Sequence, residues 1–325
     1  MGSQLERSPQ TAFPSYKRAR VDAVAPEDRL SDLPDHLLHE IIGRLGSWQA
    51  AQTSALSRRW RHLWRSAPCL HIDQRQFPGS DKPGSRQRAR FEDFADGMLA
   101  SFAGVSLPLT AFRLYLVDGR STASSERWIR RGLKRCPTSV GIRSSYADHS
   151  GVVQWPPRHL DMGAVACRLT CLRLAGVTLR DGFGEQLGAQ CPVLQVLRID
   201  SCHHQSYCAI VSPTLKSLEV TFPTRYSDHV TLAIAAPRLT FLLLRVPFGG
   251  EGGNPVITAP GHEALPSLVT ALISISDRDC RPNKRANKTK LEFLRSMRGF
   301  LARISNVTNL RLEGFTTTVR ILWLV

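Results

Sequence analysis

The spacing of apolar positions along the 325 residues changes twice. Residues 1–27 are polar, broken by Pro9, Pro14 and Pro26, and carry no apolar period, which predicts a disordered tail. From Asp28 to Asp73 apolar residues fall at helical spacing in three short blocks. Leu37, Leu38, Ile41, Ile42 and Leu45 recur at three- and four-residue steps. Asp32 stands where an N-cap is needed, Pro34 falls in the first turn, where a missing N–H costs little, and Gly46 ends the helix. A second short helix of mainly small residues is predicted from Trp48 to Ala55. In the third block, "SRRWRHLWRS", Trp60, Leu63 and Trp64 fall at i, i+3 and i+4 with Leu56 one turn earlier.

That third block raises a choice. Arginines interleaved with tryptophans are what a nucleic-acid surface looks like. A stacking platform, however, needs its rings exposed beside the charges. Here the rings share a face with leucines, so they are expected in the core, with Arg58, Arg59, Arg61 and Arg65 as the solvated rim.

Further along, the pattern Leu-x-x-Leu-x-Leu appears at Leu169/Leu172/Leu174, Leu194/Leu197/Ile199, Leu215/Leu218/Val220 and Leu239/Leu242/Leu244. The first positions are 25, 21 and 24 residues apart, within the range of leucine-rich repeats. Pro192, Pro213 and Pro237 introduce three of them, and Pro266 introduces Leu268, Ala271 and Ile273. Degenerate copies stand at Leu109/Phe112/Leu114, Val140/Ile142 and Val307/Leu310/Leu312. Each segment predicts a short strand, and stacked in parallel these would form the concave wall of a solenoid. "EDFADGMLASF", "ERWIRRGLKRC" and residues 291–304 have helical spacing and are expected between strands.

Residues 28–73 resemble an F-box, in the variant of plant F-box proteins with leucine-rich repeats of the FBD type. The likeness rests on "LPDHLLHEIIGRL", "QTSALSRRWRHLW" and "PCLHID", and is specific in the Leu-Pro opening, the Ile-Ile-x-x-Leu and the Ser-Arg-Arg-Trp. Gly46 stands where that family usually has proline, which is expected to loosen a turn. The resemblance implies a fold of α/β repeat class: a three-helix F-box, then an irregular leucine-rich-repeat solenoid with a parallel β wall. It divides the chain into a tail (1–27), the F-box (28–73), a linker and helix (74–108) and the repeat array (109–325). It also implies docking onto a Skp-type adaptor, and through it a cullin, by Leu33, Pro34, Leu37, Ile41, Ile42 and Leu45, with Leu56 and Trp60 shaping or backing that surface. The same six residues could instead hold the three helices together, and the sequence does not apportion the two roles.

Residues between the repeat leucines would face the concave side and meet an unknown protein substrate: Arg173, Arg198, Asp200, Glu219, Leu243, Arg245, Arg311 and Glu313. Charges of both signs among apolar residues are the texture of protein recognition and speak against a phosphate track. Loops covering several of them would be the alternative.

The net charge of +16 is diffuse, although residues 277–325 hold 11 basic and 4 acidic side chains. The basic stretch "RDCRPNKRANKTK", 278–290, reads as an exposed loop. Lys17, Arg18 and Arg20 have the spacing of a short nuclear-import signal, so nucleus and/or cytoplasm is expected. No run of 18 apolar residues occurs, so no membrane partner is expected. Glu6 argues against myristoylation of Gly2. Eight cysteines without an export signal read as reduced thiols. Cys191, Cys202, His203, His204 and Cys208 lack paired metal-ligand spacing, so no metal is expected. Catalytic motifs are absent too: there is no G-x-S-x-G, P-loop or H-E-x-x-H, and "GGEGGN" lacks the Lys-Ser/Thr ending of a phosphate loop. No catalytic residue and no cofactor are expected.

The leading expectation is therefore a non-enzymatic substrate receptor of a ubiquitin ligase. The alternatives are a basic nucleic-acid-associated protein, whose binding would fall steeply with salt, an F-box scaffold without a degradative role, and a receptor that needs a small molecule. The chain stops at "TTTVRILWLV" after a strand-like repeat, without a polar cap or an FBD region, which is expected of a truncated or alternative product.

Overall fold

The computed structural model describes residues 32–314, apart from 83, 103–107, 118–121, 146–152, 204–206, 224–229, 249–254, 261–264, 278–283 and 305. It opens with three short helices, α1 (Asp35–Arg44), α2 (Ser47–Gln52) and α3 (Trp60–Leu63). The N-cap of α1 is Pro34 and not the expected Asp32, and no side chain caps it. Leu45 and Gly46 turn extended and end the helix, and the Gly46 amide donates to Gln49 Oε1 at 3.0 Å. The third block is broken, unlike the single helix its spacing predicts. Leu56 follows a 3-10 turn at Thr53–Ala55, and α3 tightens into another at Trp64–Ser66. Local polar groups compete with the helical ladder there: Trp64 Nε1 donates to the Arg61 carbonyl and Ser66 Oγ to that of Leu63.

"PCLHID" also opens the wall, for Cys69–Asp73 is β1, its first strand. Within residues 74–108, expected as a linker and helix, α4 (Arg86–Ser101) packs its buried Phe91, Ala95, Met98 and Leu99 into the core. The chain continues through β2 (Ala111–Leu116), α5 (Thr122–Leu133), β3 (Ser139–Ser144), β4 (Gln154–Trp155), α6 (Met162–Val165), β5 (Cys171–Ala175), β6 (Thr178–Leu179), α7 (Phe183–Gln190), β7 (Val196–Asp200), β8 (Tyr207–Val211) and β9 (Ser217–Thr221). The described residues close with β10 (Thr231–Ala235), β11 (Phe241–Phe248), β12 (Val256–Thr258), β13 (Thr270–Asp277), α8 (Lys284–Arg303) and β14 (Asn309–Glu313).

The described residues form a nine-stranded, wholly parallel sheet in the order β1-β2-β3-β5-β7-β9-β11-β13-β14. Register aligns two apolar columns on its covered face. One runs Leu70, Phe112, Val140, Leu172, Leu197, Leu218, Leu242, Ala271, and the other Ile72, Leu114, Ile142, Leu174, Ile199, Val220, Leu244, Ile273. Each of these side chains is buried, and burial of one such chain is worth about 1.5–3 kcal/mol. At the strand entrances threonine hydroxyls tie neighbouring repeats together: Thr138 to the Thr110 carbonyl, Thr170 to that of Thr138, Thr240 to that of Lys216.

The covering layer changes character along the chain. Helices α4 and α5 cover the first repeats and α7 and α8 later ones, but β8, β10 and β12 form a second, three-stranded parallel sheet where irregular or helical segments were expected. The expected loop at 278–290 is helical in backbone from Lys284 onward.

Candidate functional site

Two surfaces stand out. The first is a stripe on α1. Leu37 and Ile41 stand one turn apart and share a side of the helix, with Leu33 just before its N-cap and Leu45 at its extended C-cap. Leu37 and Ile41 are both 37% exposed, Leu33 and Leu45 are half-buried, Pro34 is exposed, and Leu56 beyond α2 is 64% exposed. The next positions round the helix point inward. Leu38 and Ile42 are at most 1% exposed and belong to the core. A helix turns about 100° per residue, so the pairs 37/38 and 41/42 divide between surface and interior. Ile42 is thus corrected from the docking group to the core. Trp60 is buried as well, behind this surface, and Trp64 packs edge-on against Phe102 with ring centroids 6.1 Å apart. In the third block Trp60 is core, Trp64 is half-buried against it, and the arginines are rim. Arg59 donates to Asp35 at 2.6 Å, and that hydrogen bond and charge hold the Asp35 carboxyl below its usual range.

The second surface is the open face of the wall. Register places His71, Arg113, Gly141, Arg173, Arg198, Glu219, Leu243, Leu272 and Arg311 in one row. A second row holds Asp73, Tyr115, Arg143, Ala175, Asp200, Thr221, Arg245, Ser274 and Glu313. All eight residues expected on the concave side lie in these rows. His71, Asp73, Arg113, Tyr115 and Arg143 were missed, because "CLHID" was assigned to the helical module and the strands around Phe112 and Val140 were read as degenerate copies. The same in–out alternation in "LHID", "FRLYL" and "VGIRS" would have found them.

Charge is unevenly distributed over this face. Burial raises the Asp73 carboxyl, but hydrogen bonds from the side chain and amide of Arg75 outweigh it and hold it below its usual value. Arg75 also lies over the Tyr115 ring, 4.0 Å from its centroid. Arg198 and Glu219, direct cross-strand partners, form an ion pair at 2.9 Å, and Arg311 and Glu313 one at 2.8 Å. A hollow of about 150 Å³ lies between β11, β13 and β14, lined by the half-buried Leu243 and Leu272 with Arg245, Ser274, Arg311 and Glu313 around it.

Among the described residues no three His, Cys, Asp or Glu side chains converge as metal ligands. Burial pushes the thiols of Cys191 and Cys208 up to about 11 and that of Cys202 to about 12. His204 and the Lys17–Arg18–Arg20 cluster lie outside the described residues.

Residues 30–71 match the F-box domain family. The chain is 40% identical over 304 residues to the Meiotic F-box protein MOF of Oryza sativa subsp. japonica, a match that covers 90% of this chain and 61% of that protein. It is 25% identical over 254 residues to an F-box/LRR-repeat protein of Arabidopsis thaliana, covering 70% of this chain and 55% of the relative. A putative F-box/LRR-repeat protein of the same plant is 30% identical over 242 residues, covering 66% and 53%. The chain thus spans about three fifths of the rice protein and about half of the Arabidopsis ones. No solved structure matches it.

Proposed function

We propose, for a chain that carries an F-box domain on a leucine-rich-repeat wall and has plant F-box/LRR-repeat proteins as relatives, the role of substrate-recognition subunit in a Skp-cullin-F-box ubiquitin ligase. The observation that carries this reading is the division of labour on α1. Leu38 and Ile42 already close the module's core, yet Leu37 and Ile41 stand exposed beside Leu33, Pro34 and Leu45. An apolar stripe left over by a module that is otherwise sealed is a docking patch for another protein, here the Skp-type adaptor. The open face of the wall, with mixed charge and apolar residues, is then free to hold a target protein.

On this reading the chain performs no bond chemistry itself. It raises the effective concentration of target lysines near a conjugating enzyme brought by the cullin, so catalysis is by proximity. The place of action is the nucleus and/or the cytoplasm. The test is capture of a purified plant Skp-type adaptor by the intact chain and by a Leu37→Asp/Ile41→Asp variant. Capture by the first and loss in the second, with the melting temperature unchanged, is the expected result. A folded wild-type chain that captures no adaptor would end the receptor reading.

A further inference from the structure

We infer that the β2–β3–β5 end of the open face is a docking site for a short acidic polypeptide segment of the target, read by Arg113, Arg143 and Arg173. This rests on the reading of the wall as the target-binding surface and narrows it to a class of target.

Three observations carry it. The first is placement. Arg113, Gly141 and Arg173 are register partners on three adjacent strands, and Arg143 stands two residues beyond Gly141 on the middle strand. Strand spacing of about 4.8 Å and a rise of about 3.3 Å per residue put three arginine backbones within about 10 Å of one another. Gly141 between them has no side chain, and a Cβ there would stand 3.6 Å from Arg113 Cγ, so the Arg113 stem leans over the middle strand towards the other two arginines' side of the face. The second is charge. All three arginines are exposed and, among the described residues, none forms an ion pair with a carboxylate. Acidic groups along the same rows are engaged elsewhere: Asp73 by Arg75, Glu219 by Arg198, and Asp200 accepts from Ser201 Oγ. Among the described residues, therefore, no carboxylate pairs with the triangle.

The third is preparation. Arg143 lies over the Tyr115 ring at 5.6 Å from its centroid, and Arg75 holds the same ring at 4.0 Å. A guanidinium resting on an aromatic face keeps its donors in a plane and loses less freedom on binding. Planar forks of this kind suit the two oxygens of a carboxylate. The patch is also short. Glu219 closes it on one side, and beyond that pair the face turns apolar at Leu243 and Leu272. A width of about three strands fits a few acidic residues of an extended peptide, whereas a nucleic-acid strand would run its phosphates on past Asp200 and Glu219.

The experiment is fluorescence anisotropy of a labelled peptide of alternating Glu and Ser with the intact chain. The variants are Arg113→Gln/Arg173→Gln and Arg143→Gln, with Arg295→Gln/Arg298→Gln on α8 as a control that removes the same charge as the double variant from another exposed site. The wall variants are expected to weaken binding about tenfold for each arginine removed, as loss of one charge-assisted hydrogen bond implies. The control is expected to change it less than about twofold, since separated surface charges are screened. Equal losses in control and wall variants would reduce the effect to general charge attraction and overturn the inference. So would tighter, arginine-dependent binding of a labelled oligouridylate. Adaptor capture, run on the same preparation, separates this inference from the receptor reading. Capture without peptide binding sinks this inference alone, and arginine-dependent peptide binding without capture sinks only the ligase role.

Discussion

Ser47 Oγ accepts a hydrogen bond from the His71 amide at 2.8 Å, which ties the first turn of α2 to the first strand of the wall. Trp48, the next residue, packs edge-on against Phe77 and Phe94, with centroids 4.9 and 5.2 Å away. The helical module and the repeats therefore share a core. The α1 stripe and the open face are held in one orientation by packing, which is what the proposed proximity mechanism would require.

That shared core makes a prediction about cooperativity. Trp48→Ala removes the ring that joins α2 to α4 and should cost about 2–4 kcal/mol, below a fully buried Trp because the side chain is only half-buried. The loss should appear in a single unfolding transition seen alike by tryptophan fluorescence and by far-ultraviolet circular dichroism. Two separated transitions in the wild type would show that module and wall fold independently.

The two sides of α1 should part in their response to mutation. Leu38→Ala and Ile42→Ala open cavities in the core and are each expected to cost about 2–5 kcal/mol. Leu37→Ala and Ile41→Ala remove partly exposed groups and should stay within about 1 kcal/mol, while still weakening adaptor capture. Urea titrations of the four variants check this, and equal losses at all four would return the exposed pair to a purely structural role.

Two glycines should respond in opposite directions. Gly176, just past β5, has φ +61°, and a Cβ there would stand 2.1 Å from the Ser144 carbonyl oxygen. Gly176→Ala must move backbone, so a loss of about 2–4 kcal/mol is expected. Gly97 lies within α4 with nothing near its absent side chain. Gly97→Ala should stabilise by about 0.5–1 kcal/mol through helix propensity. Melting temperatures of the two variants decide the signs.

These contrasts mark how far the sequence could be read. The four clear repeats were legible because period-two burial and the spacing of Leu169, Leu194, Leu215 and Leu239 follow directly from a stacked parallel wall. Helices α4, α5 and α8 were legible in their apolar spacing. What was hidden depended on contacts distant in sequence. Leu70 and Ile72 look like the tail of a helical module until Phe112 and Leu114 are seen beside them. The inward turn of Ile42 depends on which side of α1 meets the wall, and adjacent apolar pairs leave that open. Strands β8, β10 and β12 stand where irregular or helical segments were expected, in runs such as "YCAIV" and "TLAIA" whose apolar character repeat spacing alone overshadowed.

Thiol reactivity gives an independent check of the covering layer. Only the thiolate attacks an alkylating reagent, and burial keeps Cys191, Cys202 and Cys208 protonated, with values of about 11 to 12. Cys167 is exposed. Brief treatment of the folded chain with iodoacetamide at neutral pH, followed by peptide mass mapping, should mark Cys167 and leave the three buried thiols unmodified until denaturant is added. Early labelling of Cys202 would mean that the turn after β7 opens to solvent.

The last prediction concerns acid. His71 sits on β1 beside Arg113 of β2, and burial lowers its pKa below the ordinary histidine value; Asp73 opposes the shift, while Arg113 and Arg75 add to it. The unfolded chain therefore takes up this proton first, at about pH 6.5, while the folded chain still resists it. Stability tied to neutral His71 is fully present above about pH 6.5 and is lost as the pH falls below it. Asp35 and Asp73, whose carboxyls are held low, lose their contributions as the pH falls below about 3.9, well below the pH at which the His71 loss begins. Thermal melts between about pH 7.5 and 5 should show the wild-type melting temperature falling with acid and the His71→Gln variant falling less. Parallel curves for the two proteins would remove His71 as the source and point to the other histidines.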